Sequence, residues 1–152
     1  MNLAKSSKID EHLVNIIHEG TQQHRSSFDL SVAEIHSFAS PGSLDFGGSE
    51  FESATTMPVK PKKRNQGDDY GWWNLEEGHY KAIFNEQITD NEDILVIISP
   101  HRHASEAGII AGTNVITGET DTGKLALNFR VPSVGCKIKE NARFATLHIM
   151  EV

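Results

Sequence analysis

Short stretches in which apolar and polar residues alternate recur along the chain, and this pattern is typical of half-buried β-strands. Residues 28–36 alternate in this way, and residues 124–131 do so again. The most apolar segment, 94–98, is a candidate buried strand, and 136–139 and 142–149 are two further short strands. Many short strands separated by turns predict a mainly β fold, either a sandwich or a distorted barrel.

Near the N-terminus the apolar residues recur at spacings of three and four, which predicts one helix over residues 7–19, with Ser7 as its N-cap and Gly20 at its end. The apolar residues on this helical face are Ile9, Leu13, Ile16 and Ile17. We therefore expect an N-terminal helical segment within residues 1–22. Residues 37–71 are rich in Gly, Ser, Pro and Thr, and we expect an irregular loop region that could be mobile.

The length and composition indicate one domain over residues 1–152, since 38% of the residues are hydrophobic and 23% are charged. A net charge of −7 argues against a nucleic-acid partner, because binding phosphates along a backbone needs a basic surface. The sequence holds no apolar run of the roughly 18 residues that span a membrane. The single Cys136 rules out an intrachain disulfide and suits a reducing compartment, so we expect a cytoplasmic protein without a membrane partner.

Charged and polar residues are concentrated directly after the apolar strand at 94–98. This strand ends near Pro100, and the following residues include Arg102 and good helix formers up to Gly108, which suits a helix C-cap. A single helical turn here would aim backbone N–H groups and Arg102 at one point, which favours an anion such as phosphate. The alternative is a solvated turn with no ligand.

Three segments, in this order, resemble the dUTPase and dCTP deaminase superfamily, and most of all its deaminase-like branch that includes archaeal forms. Residues 27–30 (Ser-Phe-Asp-Leu) resemble the Asp-Leu strand of that branch. Residues 75–80 (Leu-Glu-Glu-Gly-His-Tyr), followed by Glu86, resemble its Leu-x-Pro-Gly-x-Tyr…Glu segment. Residues 140–147 (Glu-Asn-Ala-Arg-Phe-Ala-Thr-Leu) resemble its closing strand, Pro-Gly-x-x-Ile-Ala-Gln-Leu.

This resemblance implies a dUTPase-like β-clip fold, a distorted barrel assembled as a homotrimer with nucleotide sites at the subunit boundaries. It also implies binding of a deoxynucleoside triphosphate, with Mg²⁺ on the phosphates. The superfamily's phosphate motif, Arg-Ser-Ser-x-x-Arg-x-Gly, falls on residues 101–108, where both serines are lost and Glu106 replaces the second arginine. The residues expected to bind nucleotide or phosphate are Arg102, His103, Ser105, Gly108, Thr113 and Asn114.

The superfamily's next motif, Asp-x-Gly-Tyr-x-Gly, supplies a carboxylate that acts on water, and it corresponds here to residues 117–123. Glu119 or Asp121 could take a proton from water, so both are candidate catalytic residues. Deaminases need a further Glu on the next strand, where this chain has Asn128, and an amide cannot move that proton. The resemblance thus favours a nucleotide triphosphate hydrolase over a deaminase. A trimer that has lost catalysis and acts in binding or structure is the first alternative.

The second alternative belongs to another class of protein. His101, His103 and Glu106 resemble part of the cupin metal motif, in which two imidazoles and a carboxylate bind a divalent ion. If these residues lay on a strand, the two histidines would share a face.

Overall fold

The computed structural model describes residues 2–5, 9–89, 93–117 and 124–151. The strands in these ranges are β1 (Asn2–Leu3), β2 (Leu13–Val14), β3 (Phe28–Phe38), β4 (Thr56–Pro58), β5 (Trp72–Leu75), β6 (Gly78–Ile88), β7 (Ile94–Pro100), β8 (Asn114–Thr117), β9 (Lys124–Val131), β10 (Cys136–Lys139) and β11 (Arg143–Glu151). The α-helices in the same ranges are short: α1 (Glu19–Gln22) and α2 (Arg102–Glu106). No helix in the described ranges has the length and apolar character that crossing a membrane requires.

The strands pair in antiparallel fashion and build one curled sheet of nine strands, in which β2, β6, β3, β11, β7 and β8 are successive neighbours. β1 extends this sheet beside β11, β4 beside β3, and β9 beside β6. β5 and β10 form a separate ribbon, in which Trp73 lies opposite Ile138. This architecture confirms the mainly β prediction.

The core comes from strands whose alternation is visible in the sequence. In β9, Leu125, Leu127, Phe129 and Val131 are buried while the residues between them are more exposed. β7 contributes Ile94, Val96 and Ile98 in the same way. Since full burial of such side chains stabilises the fold by about 1.5–3 kcal/mol each, these two strands anchor the sheet on which the α2 turn is mounted.

Strand β3 departs from simple alternation because residues 28–32 are buried on both faces. Phe28 and Leu30 pack in the core, and the intervening Asp29 and Ser31 are also buried. The second face is covered by the segment around α1, where the side-chain amide of Gln22 donates to the Asp29 carbonyl oxygen at 2.8 Å. Polar groups are thereby held away from water on a core strand.

The predicted helix over residues 7–19 is wrong for its described part. The chain instead forms a 3₁₀ turn at Asp10–His12 and then β2, whose Leu13 pairs with Ile88 of β6. Asn15 has a φ of 64°, in the left-handed region that interrupts a helix. A helix of this length is marginal without packing. The chain instead gains strand pairing at the edge of β6. The predicted N-cap, Ser7, lies outside the described residues.

Between β3 and β5 the chain is irregular apart from β4, and it contains a projecting hairpin, residues 39–55, which we call the arm. The two adjacent tryptophans at the start of β5 lie on opposite faces of the strand, as the alternation of side chains along a strand requires. Trp73 is buried and donates its indole N–H to the Val59 carbonyl oxygen at 2.7 Å. Trp72 is only half-buried, and the Arg64 guanidinium lies 3.6 Å from its ring centroid.

Candidate functional site

The α2 turn begins where β7 ends. His101 is the N-cap of α2, and its Nδ1 accepts a hydrogen bond from the His103 backbone N–H at 2.9 Å. Ala104 faces the core, and the turn ends before Gly108, whose φ of +94° favours glycine. A Cβ atom at Gly108 would lie 3.1 Å from Pro132 Cγ. The predicted helical turn with a glycine C-cap is therefore confirmed.

A buried carboxylate lies beneath this turn. Asp29 is 2% exposed, and its Oδ2 is 2.9 Å from His24 Nε2, 3.1 Å from Arg143 Nη1 and 3.4 Å from His101 Nε2. The three partners come from the segment after α1, from β11 and from the cap of α2. We call these four residues the Asp29 cluster. It ties three elements of the fold to one buried negative charge.

The two nitrogens of His101 have separate roles, which fixes its tautomer. Because Nδ1 accepts the His103 N–H, the ring hydrogen of neutral His101 belongs on Nε2, the nitrogen that faces Asp29. Burial lowers the pKa of His101 below its ordinary value of 6.5, against the attraction of the Asp29 carboxylate, and the nearby His103 and Arg143 lower it further. The neutral form is thus the one that caps α2.

The α2 turn carries most of the predicted phosphate-binding residues on its exposed side. Arg102, His103 and Ser105 are exposed, and Arg102 Nη2 lies 3.4 Å from His103 Nε2. Glu106 is exposed on the same short helix. The turn thus presents two basic groups, a hydroxyl and a carboxylate to solvent.

Two other predicted residues lie beside the turn rather than on it. Thr113 and Asn114 are exposed, and Asn114 starts β8 opposite Ile98, close to the end of β7 from which α2 departs. The side-chain amide of Asn114 donates to the Ala126 carbonyl oxygen at 3.4 Å.

The candidate catalytic residues Glu119 and Asp121 lie outside the described residues. The described strand before them, β8, ends at Thr117 opposite Leu95, which is five residues before Pro100 in β7. At roughly 3.3 Å per strand residue, Thr117 lies about 17 Å along the sheet from the level of Pro100, where β7 ends.

The two histidines of the metal hypothesis do not lie on a strand, so the condition under which they would share a strand face is not met. His101 caps α2 and His103 lies within it, with their ring centroids 4.7 Å apart in an edge-to-face arrangement. His101 Nδ1 is engaged by a backbone N–H, and its Nε2 faces Asp29. In the described part of the chain, no group of three His, Cys, Asp or Glu side chains is arranged to hold a metal ion.

A second buried carboxylate lies on β6, the strand next to β3. Glu86 is fully buried, and its Oε1 accepts the Ser31 backbone N–H at 2.8 Å. Its Oε2 accepts the Ser31 hydroxyl at 2.6 Å and the Gln22 side-chain amide at 2.8 Å. We call these three residues the Glu86 network. It joins β6, β3 and α1 through neutral donors.

Comparison with known proteins gives the chain its relatives, although no family model matches it. A probable deoxyuridine 5′-triphosphate nucleotidohydrolase of Methanosarcina mazei is 29% identical over 139 residues, covering 89% of this chain and 75% of that protein. A protein of the same description from Methanosarcina acetivorans is 27% identical over 150 residues, covering 95% and 82%. The crystal structure of 2′-deoxycytidine 5′-triphosphate deaminase from Agrobacterium tumefaciens matches with a TM-score of 0.65 at 12% identity, over 97% of this chain and 48% of the deaminase.

These relatives support the predicted resemblance to the dUTPase and dCTP deaminase superfamily. The deaminase likeness concerns the fold, and it confirms the predicted dUTPase-like β architecture. This chain spans about half the length of that deaminase.

The segments that carried the superfamily resemblance meet in space. Asp29 from the first segment contacts Arg143 from the closing strand and His101 from the central motif. Glu86, which follows the second segment, bonds to Ser31, two residues after Asp29. Segments far apart in sequence thus build one polar centre beneath the α2 turn.

Sequence reasoning did not identify Asp29, His24 or Arg143 as members of the site. Alternation along 28–36 places Asp29 on the face opposite Phe28 and Leu30, which the sequence leaves open to solvent. The available signal was its position inside a superfamily segment, next to two core residues. The covering contacts of His24 and His101 depend on tertiary structure.

Proposed function

We propose that this protein is a nucleotide triphosphate hydrolase of the dUTPase type, which acts on a deoxynucleoside triphosphate as a homotrimer. The observation that carries the proposal is similarity to proteins described as probable deoxyuridine 5′-triphosphate nucleotidohydrolases over 89% and 95% of the chain. The products would be a deoxynucleoside monophosphate and pyrophosphate.

In this proposal the α2 turn binds the phosphates. Arg102 and His103 are exposed and adjacent, and Arg102 supplies a planar guanidinium that can donate two parallel hydrogen bonds to phosphate oxygens. Ser105 adds a hydroxyl donor. The rigid attachment of the turn to β7 and to the Asp29 cluster holds these groups in a fixed position.

The proposed base is Glu119 or Asp121, which would take a proton from the water that attacks phosphorus. The carboxylate would come from a neighbouring protomer, because the superfamily resemblance implies nucleotide sites at the subunit boundaries. Such a shared site makes activity depend on assembly. Deamination is not proposed, since Asn128 stands at the position where the resemblance requires a Glu.

Magnesium would enter with the nucleotide. The residues described here provide no group of three carboxylate or imidazole ligands, and the Asp29 carboxylate is already engaged by Arg143 and two histidines. The phosphate oxygens themselves are the hard ligands that Mg²⁺ prefers. The proposed effect of the ion is to reduce the repulsion between phosphate and Glu106 on the α2 turn.

The test is release of pyrophosphate from dUTP, dCTP, dATP, dGTP and dTTP in the presence of Mg²⁺. We expect dUTP to be hydrolysed and Arg102→Ala to lower kcat/KM by about 100-fold, because one phosphate contact in the transition state is lost. The matched control is Arg130→Ala, which removes an exposed arginine paired with Glu77 at 3.9 Å and should leave kcat/KM within about twofold.

Two isosteric variants decide which carboxylate is the base. Either Glu119→Gln or Asp121→Asn should abolish pyrophosphate release while dUTP still binds. Tight binding of a nucleotide by the wild-type protein without any pyrophosphate release would instead favour the catalytically inactive trimer. The loss of both serines and the presence of Glu106 in the phosphate motif are the sequence features that support this alternative. If no deoxynucleotide binds, the proposed function is overturned.

A further inference from the structure

The arm presents apolar side chains to solvent although its backbone is held in place. Phe46 is 109% exposed and Leu44 is 89% exposed. The Asp45 carboxylate accepts the backbone N–H groups of Gly48 and Glu50 at 3.1 and 3.2 Å, and Ser43 exchanges backbone hydrogen bonds with Glu52. A fixed hairpin that exposes a phenyl ring at its tip is typical of a surface that another molecule covers.

A groove of matching chemistry lies between α2 and the ribbon of β5 and β10. It has a volume of about 210 Å³, which is below the roughly 300–1,000 Å³ of small-ligand pockets but adequate for one aromatic side chain. Its floor is mostly apolar and includes Ile138 and Phe144, and its cationic lining residues are Lys137, Lys139 and Arg143. We call it the ribbon groove.

The charges of the two surfaces are opposite. The arm carries Asp45, Glu50 and Glu52, and the described residues offer no ion pair to Glu50 or Glu52. The ribbon groove presents Lys137 and Lys139, also without an ion pair among the described residues, with Arg64 stacked on Trp72 at its edge. This basic surface belongs to a chain of net charge −7. Such complementarity fixes both partner and orientation.

We propose that the arm of one copy docks in the ribbon groove of a second copy, with Phe46 covering the apolar floor and the arm carboxylates facing Lys137 and Lys139. Because the arm and the groove are different patches, the contact is head-to-tail and can close into a ring. The inference rests on the homotrimer of the proposed function, but not on its catalysis. Since His103 and Arg143 also line the groove, docking would pack the neighbour's arm beside the α2 turn.

The test measures the mass and the dissociation constant of the full-length protein by light scattering and sedimentation. We expect the mass of the wild type in solution to be a whole-number multiple, greater than one, of the 16.8 kDa of a single chain. Phe46→Ser should weaken association by at least about 30-fold, because an aromatic anchor is lost. Phe46 is fully exposed, so its replacement should leave the melting temperature of the isolated subunit unchanged.

Charge reversal tests the pairing itself. Lys137→Glu with Lys139→Glu should weaken association, as should Glu50→Lys with Glu52→Lys, and all four changes together should restore it. The matched controls are Ile17→Ser and Lys124→Glu, which change an exposed apolar residue and an exposed lysine outside both surfaces.

Two results would overturn the inference. One is a wild-type protein that stays monomeric up to about 100 µM, a concentration at which a specific interface of standard size is populated. The other is an oligomer whose dissociation constant is changed neither by the arm variants nor by the groove variants. The pyrophosphate assay is separate from these measurements, so a catalytically silent oligomer that responds to the variants would support the inference and contradict the proposed hydrolase.

Discussion

Two buried carboxylates on neighbouring strands have very different surroundings. Glu86 of β6 is fully buried and bonds to neutral donors, the hydroxyl and N–H of Ser31 and the amide of Gln22. Asp29 of β3 is 2% exposed and contacts groups that are charged or can be charged, His24, His101 and Arg143. Two carboxylates that are buried to a similar extent are therefore stabilised in different ways, Glu86 by neutral donors and Asp29 by basic side chains.

The Glu86 network joins elements of the fold, and none of its donors changes charge near neutral pH. The Asp29 cluster holds the cap of α2, and two of its members are histidines. The free energy of unfolding should depend more on Glu86, whereas the protonation of His101, which caps the α2 turn, should depend more on Asp29. The following predictions test this division, in order of expected effect.

The largest effect should come from Glu86→Ala, which leaves three buried donors without an acceptor. Each unpaired donor costs about 1–3 kcal/mol, so we expect a loss of about 3–5 kcal/mol in the free energy of unfolding, measured with urea. The control Glu77→Ala, at a half-exposed carboxylate, should cost less than about 1 kcal/mol. Equal losses would show that Glu86 does not join the elements as described.

Asp29→Asn should cost about 2 kcal/mol, because it removes the charge that the Asp29 cluster shares while keeping the shape of the side chain. It should also lower the pKa of His101 further, since the attraction of the carboxylate is lost. An NMR titration of the imidazole protons measures that pKa. Glu86→Gln provides the comparison, and the division would fail if it moved the pKa of His101 as much as Asp29→Asn does.

Gly108→Ala tests the α2 turn without touching either carboxylate. The φ of +94° and the 3.1 Å approach of a Cβ atom to Pro132 predict a loss of about 1–2 kcal/mol in thermal unfolding. Gly112→Ala is the matched control, because no atom lies within 4 Å of its added Cβ. A neutral Gly108→Ala would mean that the turn is less constrained than its geometry indicates.

The smallest effect is a pH dependence carried by His101. Its pKa is lowered in the folded protein, so as pH falls below about 6.5 the unfolded chain takes up the proton first, and the free energy of unfolding decreases towards the folded pKa. His101→Asn keeps a cap acceptor that does not titrate and should flatten this part of the profile. The control His79→Asn, at an exposed histidine, should not flatten it.

Much of the fold followed from local patterns. The alternation of β9 and the apolar run of β7 predicted those strands and their buried faces, because every second side chain of a strand points to the same face and the apolar residues mark the buried one. Residues 7–19 show the limit of this reasoning. Their helical spacing was outweighed by pairing of Leu13 with Ile88, a partner 75 residues away that no local pattern identifies.

The candidate site was predicted in part. The α2 turn and its glycine were visible because Pro100, the helix formers and Gly108 act locally. The placement of His101 was not, since capping and the contact with Asp29 depend on strands that are distant in sequence. Glu119 and Asp121 as the base remain a prediction from resemblance, to be decided by the isosteric variants.

The amino-acid sequence alone determined the strand content, the turn after β7 and the resemblance to the superfamily, because these depend on neighbouring residues and on the order of short segments. The tertiary structure decided which polar groups are buried and what they contact. Asp29 and Glu86 both lie on strands whose alternation of apolar and polar residues does not identify the residues that these carboxylates contact. Only the packing of α1, α2 and β11 against those strands removes the carboxylates from water and makes one a structural link and the other a support for the site.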